Sequence, residues 1–249
     1  MYGPEEHPLP RSQSGVLALI LRLVARDGYG WYSVQYAPED RILVALSKIH
    51  AKNPVLMDGM SRHLRRKAGL PAAMVILAPE PKGGRWPLAL LATQDLKGEN
   101  MHRVTDARHP LTWPAWREGK WQPTYVLRRD PNRQRWTWYL EEAFYRALLE
   151  EALLLARMED WGRLREHLRR VGTLPLFHGI WEQAHEIRRR VHRLWGDRHR
   201  RGPGGEWKRP PWGGALEGWP QRPFSLNVPV WRDEPPRTVG EWLEMRRGE

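Results

Sequence analysis

The amino-acid sequence predicts an α+β fold, on three observations. Apolar residues recur at helical spacing in several segments, most clearly Phe177, Ile180, Ala184, Ile187, Val191 and Leu194. Short β-branched and aromatic runs occur in pairs, joined by turns rich in Pro, Gly and Asp. From Gly196 onward, 9 Gly and 8 Pro fall within 54 residues, a density that does not sustain regular structure. A chain of 249 residues has room for one large or two small domains, and its lack of cysteine excludes a disulfide framework, a Cys-ligated metal site and a thiol nucleophile.

Residues 1–11 are polar and Pro-rich and read as a flexible arm. Residues 12–26 read as a helix capped by Ser12 or Ser14, with Val16 to Val24 apolar nearly all round and therefore buried, and Asp27-Gly28 ending it. Residues 29–36, YGWYSVQY, read as a strand. Pro38-Glu39-Asp40 starts a second helix, with Ile42, Leu43, Leu46 and Ile49 on one face. After Asn53-Pro54 a third helix is expected over 55–68, with Met57, Met60 and Leu64 inward and Arg62, Arg65, Arg66 and Lys67 outward. Ala72–Ala78 and Trp86–Thr93 flank a Pro- and Gly-rich loop and read as a β-hairpin. These elements form an N-terminal α-β-α-α-β-β segment over residues 12–95.

Residues 94–120 read as irregular. A further β-hairpin is expected from 121–128 and 134–140 around Asp130-Pro131-Asn132. Alternation puts Trp136, Trp138 and Leu140 on one face of its second strand, and Arg135, Thr137 and Tyr139 on the other. C-terminal helices follow at 141–157, about 160–170 and 175–196, so residues 96–196 read as a hairpin plus a helical segment. Residues 197–249 read as an extended basic, Trp/Pro/Gly-rich arm with Trp207, Trp212, Trp219, Trp231 and Trp242. Five tryptophans are too many for a solvated tail, so the arm is expected to pack on its own body or on a partner. Thr238 followed by Glu241 marks a capping box for a short closing helix over 238–247.

The helix-strand-helix-helix-strand-strand order of residues 12–93 resembles a winged helix-turn-helix, with residues 55–68 in the recognition position and 79–86 as the wing. The segment MSRHLRRKAGL is similar to the end of a recognition helix. The resemblance implies a DNA-binding segment.

Charge points the same way. Lys plus Arg is 41 against 29 Asp plus Glu, a net charge of +12, with 34 Arg and 7 Lys. A GC-rich genome inflates Arg, Gly, Pro and Trp without function, and 4 Asn with 7 Gln fit a thermophile. Such a bias spreads charge evenly, whereas residues 161–212 alone carry a net +8. A local cationic excess points to a polyanionic partner, most often nucleic acid.

The candidate phosphate contacts are Arg62, Arg65, Arg66 and Lys67 on one helix, Arg188, Arg189, Arg190 and Arg193 on another, and Arg198, Arg200, Arg201, Lys208 and Arg209 beyond it. Guanidinium stays charged and grips phosphate with two parallel hydrogen bonds. Trp136, Trp138, Trp195, Trp207 and Trp212 are candidates for stacking on bases. Gly83-Gly84-Arg85 and Gly202-Pro203-Gly204-Gly205 lack the Lys-Ser/Thr ending of a phosphate loop, and there is no Gly-x-Ser-x-Gly elbow. No catalytic residue, cofactor or metal is assigned. The apolar run Val16 to Leu21 is broken at Arg22, well short of the ~20 residues that cross a bilayer. A cytoplasmic location without membrane contact is expected.

The leading expectation is a nucleic-acid-binding protein, DNA slightly ahead of RNA, that clamps phosphates with Arg-rich helices. One alternative is a structural subunit of a larger nucleoprotein complex, docking through the Trp-rich arm. Another is a nuclease or RNA-processing endonuclease.

Overall fold

The computed structural model describes residues 3–78, 84–114, 123–199, 222–223 and 230–248, with 197–199 by backbone alone. It is mixed helix and sheet and divides into two compact units, 1–136 with 226–249, and 137–225.

In the first unit, α1 (Gln13–Ala25) is capped by Ser12, whose hydroxyl accepts the Gly15 N–H at 3.1 Å. Its face from Val16 to Leu21, with Leu23, is buried, as the unbroken apolar run requires. Gly28, at φ +75°, makes the turn into β1 (Trp31–Pro38). One 3-10 turn then leads to α2 (Ile42–Lys52), which buries Ile42 and Leu46. β2 (Ala73–Leu77) and β3 (Arg85–Ala92) form the expected hairpin, with Leu77 opposite Leu88. Tip residues 79–83 of the expected wing lie outside the described residues. β3 also pairs antiparallel with β1, and β4 (His102–Arg103) pairs with β1's other edge, giving the order β2-β3-β1-β4. β2 and β3 are buried almost throughout, so they read as continuous apolar runs rather than alternating ones.

The third helix departs from expectation. Its α-helical part, α3 (Gly59–Lys67), begins where Asp58 accepts the Ser61 N–H at 2.7 Å. Val55 and Leu56 precede it, non-helical, and fill the core instead. The late start changes which side faces in. Met60 is 67% and Leu64 57% exposed, Met57 is only half-buried, and α3 buries no residue at all.

Two short strands fall in the stretch read as irregular: β4, and β5 (Leu111–Pro114), which pairs antiparallel with β6 (Thr124–Arg129). The turn after β6 is held by Asp130, whose carboxylate accepts the N–H groups of Asn132 and Arg133, both at 2.8 Å.

The N-terminal residues depart from the flexible arm expected of them, and residues 230–248 pack on the body of the first unit, one of the two expected placements. Leu9 donates its N–H to Arg237 and accepts from Arg232, and Val239 donates to the His7 carbonyl. Leu9 and His7 are buried by that pairing. The closing helix forms as α7 (Val239–Arg247), with the Thr238 hydroxyl accepting the Glu241 N–H. Trp242 packs edge-on to the buried Trp86, ring centres 6.1 Å apart.

The second unit opens at Thr137 within β7 (Trp136–Leu140), followed by α4 (Glu142–Arg157), α5 (Trp161–Gly172) and α6 (His178–His199). Thr137, Trp138, Tyr139 and Leu140 are all buried, so the expected two-faced alternation does not hold. The start of α6 lies directly against β7. A Cβ on Gly179 would sit 2.6 Å from the Trp138 carbonyl and 2.7 Å from the Tyr139 ring. Gln183 then accepts the Leu140 N–H at 2.8 Å and donates to its carbonyl at 3.3 Å. The inward face of α6 is the predicted one: Ile180, Ala184, Ile187 and Val191 are buried. His167 joins α5 to α4 through the Leu148 carbonyl at 2.9 Å. No helix among the described residues is long and apolar enough to cross a membrane.

Candidate nucleic-acid interface

The structure treats the two basic helices differently. On α3, the guanidinium of Arg62 donates to the Met57 carbonyl, Arg65 to that of Pro71 at 2.8 Å, and Arg66 to that of Asp27 at 2.8 Å. Carbonyls position these groups without cancelling their charge. Arg66 also lies 3.5 Å from the Asp27 carboxylate. Lys67 is exposed.

Arg62 and Arg66 are two walls of a pocket of about 200 Å³. Its lining includes Arg22 from α1, Asp27, Tyr29 and Trp231. Three guanidinium groups against one carboxylate leave the lining with an excess of two positive charges. The Tyr29 hydroxyl is pushed above its ordinary pKa by burial, against the pull of Arg62 and Arg66, so it stays a neutral donor. The volume is below the roughly 300 Å³ at which drug-sized ligands begin, so the pocket is of the size of a small anionic group.

On α6 the expected clamp is partly neutralised from within. Glu186 holds both Arg189, at 2.7 Å, and Arg190, at 2.8 Å, and these contacts with Arg190 first draw its carboxyl below the usual range. Arg188 is half-buried and Arg193 exposed. Neighbouring α5 repeats the device: Arg169 and Arg170 hold Glu166 at a pKa of about 2. Four arginines of these helices are therefore ion-paired, Arg169 and Arg170 with Glu166 and Arg189 and Arg190 with Glu186.

Comparisons with known families, curated proteins and solved structures find no match.

The stacking set is narrowed by burial. Trp138 is 0% and Trp195 8% exposed, so both serve the core of the second unit and offer no face to a base. Trp136 is half-buried, with the Arg129 guanidinium 5.3 Å from its ring centre. Arg200, Arg201, Lys208, Arg209, Trp207 and Trp212 lie outside the described residues, as does the side chain of Arg198. Sequence reasoning missed Arg22, Asp27, Tyr29 and Trp231 as partners of α3. One signal was present, since Arg22 is the charge that interrupts an otherwise apolar helix.

Proposed function

We propose that the protein binds nucleic acid by its phosphate backbone, with α3 and the arginine pocket beside it as the primary contact. The observation that carries this reading is a helix that buries no residue, ends in Arg65, Arg66 and Lys67, and shares a pocket with Arg22. Helices normally gain their stability by burying an apolar face. One held out by its N-cap and by arginine–carbonyl bonds contributes little to the core and presents its charge to solvent.

Affinity for labelled single- and double-stranded DNA and RNA, measured at roughly 50 and 200 mM salt, tests the reading. Binding that weakens steeply with salt is expected. Replacing Lys67 or Arg22 by Ala should each lower the slope of log affinity against log salt by about one. Binding indifferent to salt, or none at low salt, refutes the phosphate-clamp reading.

A further inference from the structure

A second group of polar side chains lies on β1, β4 and the turn after it. Tyr32 of β1 stands opposite His102 of β4, and Trp31 opposite Arg103. The turn is organised by Asp106. One of its carboxylate oxygens accepts the Arg108 N–H at 3.0 Å, and the other lies 3.1 Å from Nδ1 of His109. The Tyr32 hydroxyl donates to the His109 carbonyl. The rings of His102 and His109 are stacked, centres 4.4 Å apart and planes within 20°. His109 is 52% exposed, so this arrangement is built on the surface, where packing does not require it. Arg103, placed over the Trp31 ring at 5.0 Å, and the exposed Arg108 bring positive charge to the same place.

We propose that His102, Asp106 and His109 form a metal-independent site for cleaving RNA. Asp106 accepts a hydrogen bond from Nδ1–H of His109, which leaves Nε2 as the base. Nε2 removes the proton from a ribose 2′-hydroxyl, and the 2′-oxygen forms a bond to the adjacent phosphorus. The bond from phosphorus to the 5′-oxygen breaks, and that oxygen takes a proton from the imidazolium of His102. The products are a 2′,3′-cyclic phosphate and a 5′-hydroxyl, and proton exchange with water restores both rings. Two parallel imidazoles side by side suit an in-line displacement, which needs one group at the entering oxygen and one at the leaving oxygen. Arg108 and Arg103 supply charge for the non-bridging oxygens. Asp106 is held at a pKa of about 2 by its bond to His109 and then by Arg108, and Tyr32 is pushed up to about 12 by burial and then by Asp106. Across neutral pH Asp106 and Tyr32, which face the two rings, therefore keep fixed charge.

The proposal rests on the nucleic-acid reading for substrate delivery. Tyr29 of the arginine pocket and Tyr32 beside His102 are three residues apart, at most about 11 Å of backbone. The pocket's Met74 on β2 and His102 on β4 share one register row across the sheet, three strand spacings or about 14 Å apart, so a strand whose phosphate occupies the pocket must cross that width to bring a further phosphate to the imidazoles.

The test uses the full chain with EDTA present, on end-labelled RNA, the matching 2′-O-methyl RNA and the matching DNA, with binding measured in parallel. Cleavage of RNA alone, to ends bearing 2′,3′-cyclic phosphate and with a bell-shaped pH profile, is expected. His102→Gln and His109→Asn should each lower the rate by about a hundredfold or more while binding stays within twofold. Melting curves verify that the variants fold, and the 2′-O-methyl strand, which lacks the attacking hydroxyl, should resist cleavage by the natural protein. RNA that is bound but uncut, or cut equally by the double variant, overturns the proposal and leaves the binding reading intact. If no strand binds, the binding reading fails by itself, and a dinucleoside monophosphate at millimolar concentration decides the histidine site. Its histidine-dependent cleavage sustains the proposal, and its survival overturns it.

Discussion

His7 is 2% exposed, with Nδ1 3.1 Å from the Pro8 carbonyl and Nε2 3.2 Å from that of Val75. A neutral imidazole has one N–H, so it donates to one of these carbonyls at a time. Burial nevertheless dominates and lowers its pKa from 6.5 to about 4, with Arg62 adding to the effect. The folded pKa lies below the unfolded one, so the unfolded chain binds the extra proton between these values, and stability rises with pH across that window. His7 should therefore cost about 3 kcal/mol of stability as pH falls from 6.5 to 4. Melting against pH for the natural protein and for His7→Gln checks this, and the natural protein should show the steeper loss. Parallel slopes would mean that His7 titrates alike in both states. The stacked pair His102 and His109 places the same side chain at the surface instead.

At the scale of elements, two helix starts make contrasting demands. Ser12 caps α1 through one hydroxyl, and Ser12→Ala should cost about 1 kcal/mol. Gly179 lets the first turn of α6 lie on β7, and Gly179→Ala forces a carbon against a backbone oxygen that has nowhere to move. It should cost about 1–3 kcal/mol, read as a lower denaturation midpoint of the second unit. If both substitutions cost the same, the close approach is not limiting. Periodicity made α1 and α6 legible, because each repeats an apolar spacing over several turns. It failed for α3, where Val55 and Leu56 supplied an apolar signal that belongs to the preceding link. It failed also for β4, since a two-residue strand has no period to detect. The residue types of the candidate interface were readable, but its geometry was not. Arg22 joins Arg62 and Arg66 across a separation in sequence of some forty residues, and Asp27 orients Arg66.

Across the whole molecule, charge and structure are distributed differently. Residues 161–212 hold the largest excess of positive charge, and on α5 and α6 Arg169, Arg170, Arg189 and Arg190 are ion-paired with Glu166 and Glu186. In the first unit fewer arginines, Arg22, Arg62 and Arg66, line one concave pocket together with Asp27. That unit also depends on chain segments more than two hundred residues apart. Removing residues 230–249 should uncover Leu9, His7 and Trp86 and render residues 3–114 sensitive to protease, while helices 142–199 remain resistant. Equal digestion of both would show that the two units stand or fall together. The pairing of Leu9 with Arg232 and Arg237 has a further consequence during synthesis. Every residue of the helical unit leaves the ribosome before the strand partner of Leu9 does. The first half of the protein must therefore wait, its apolar β-hairpin already made, until residues 230–249 emerge to cover it.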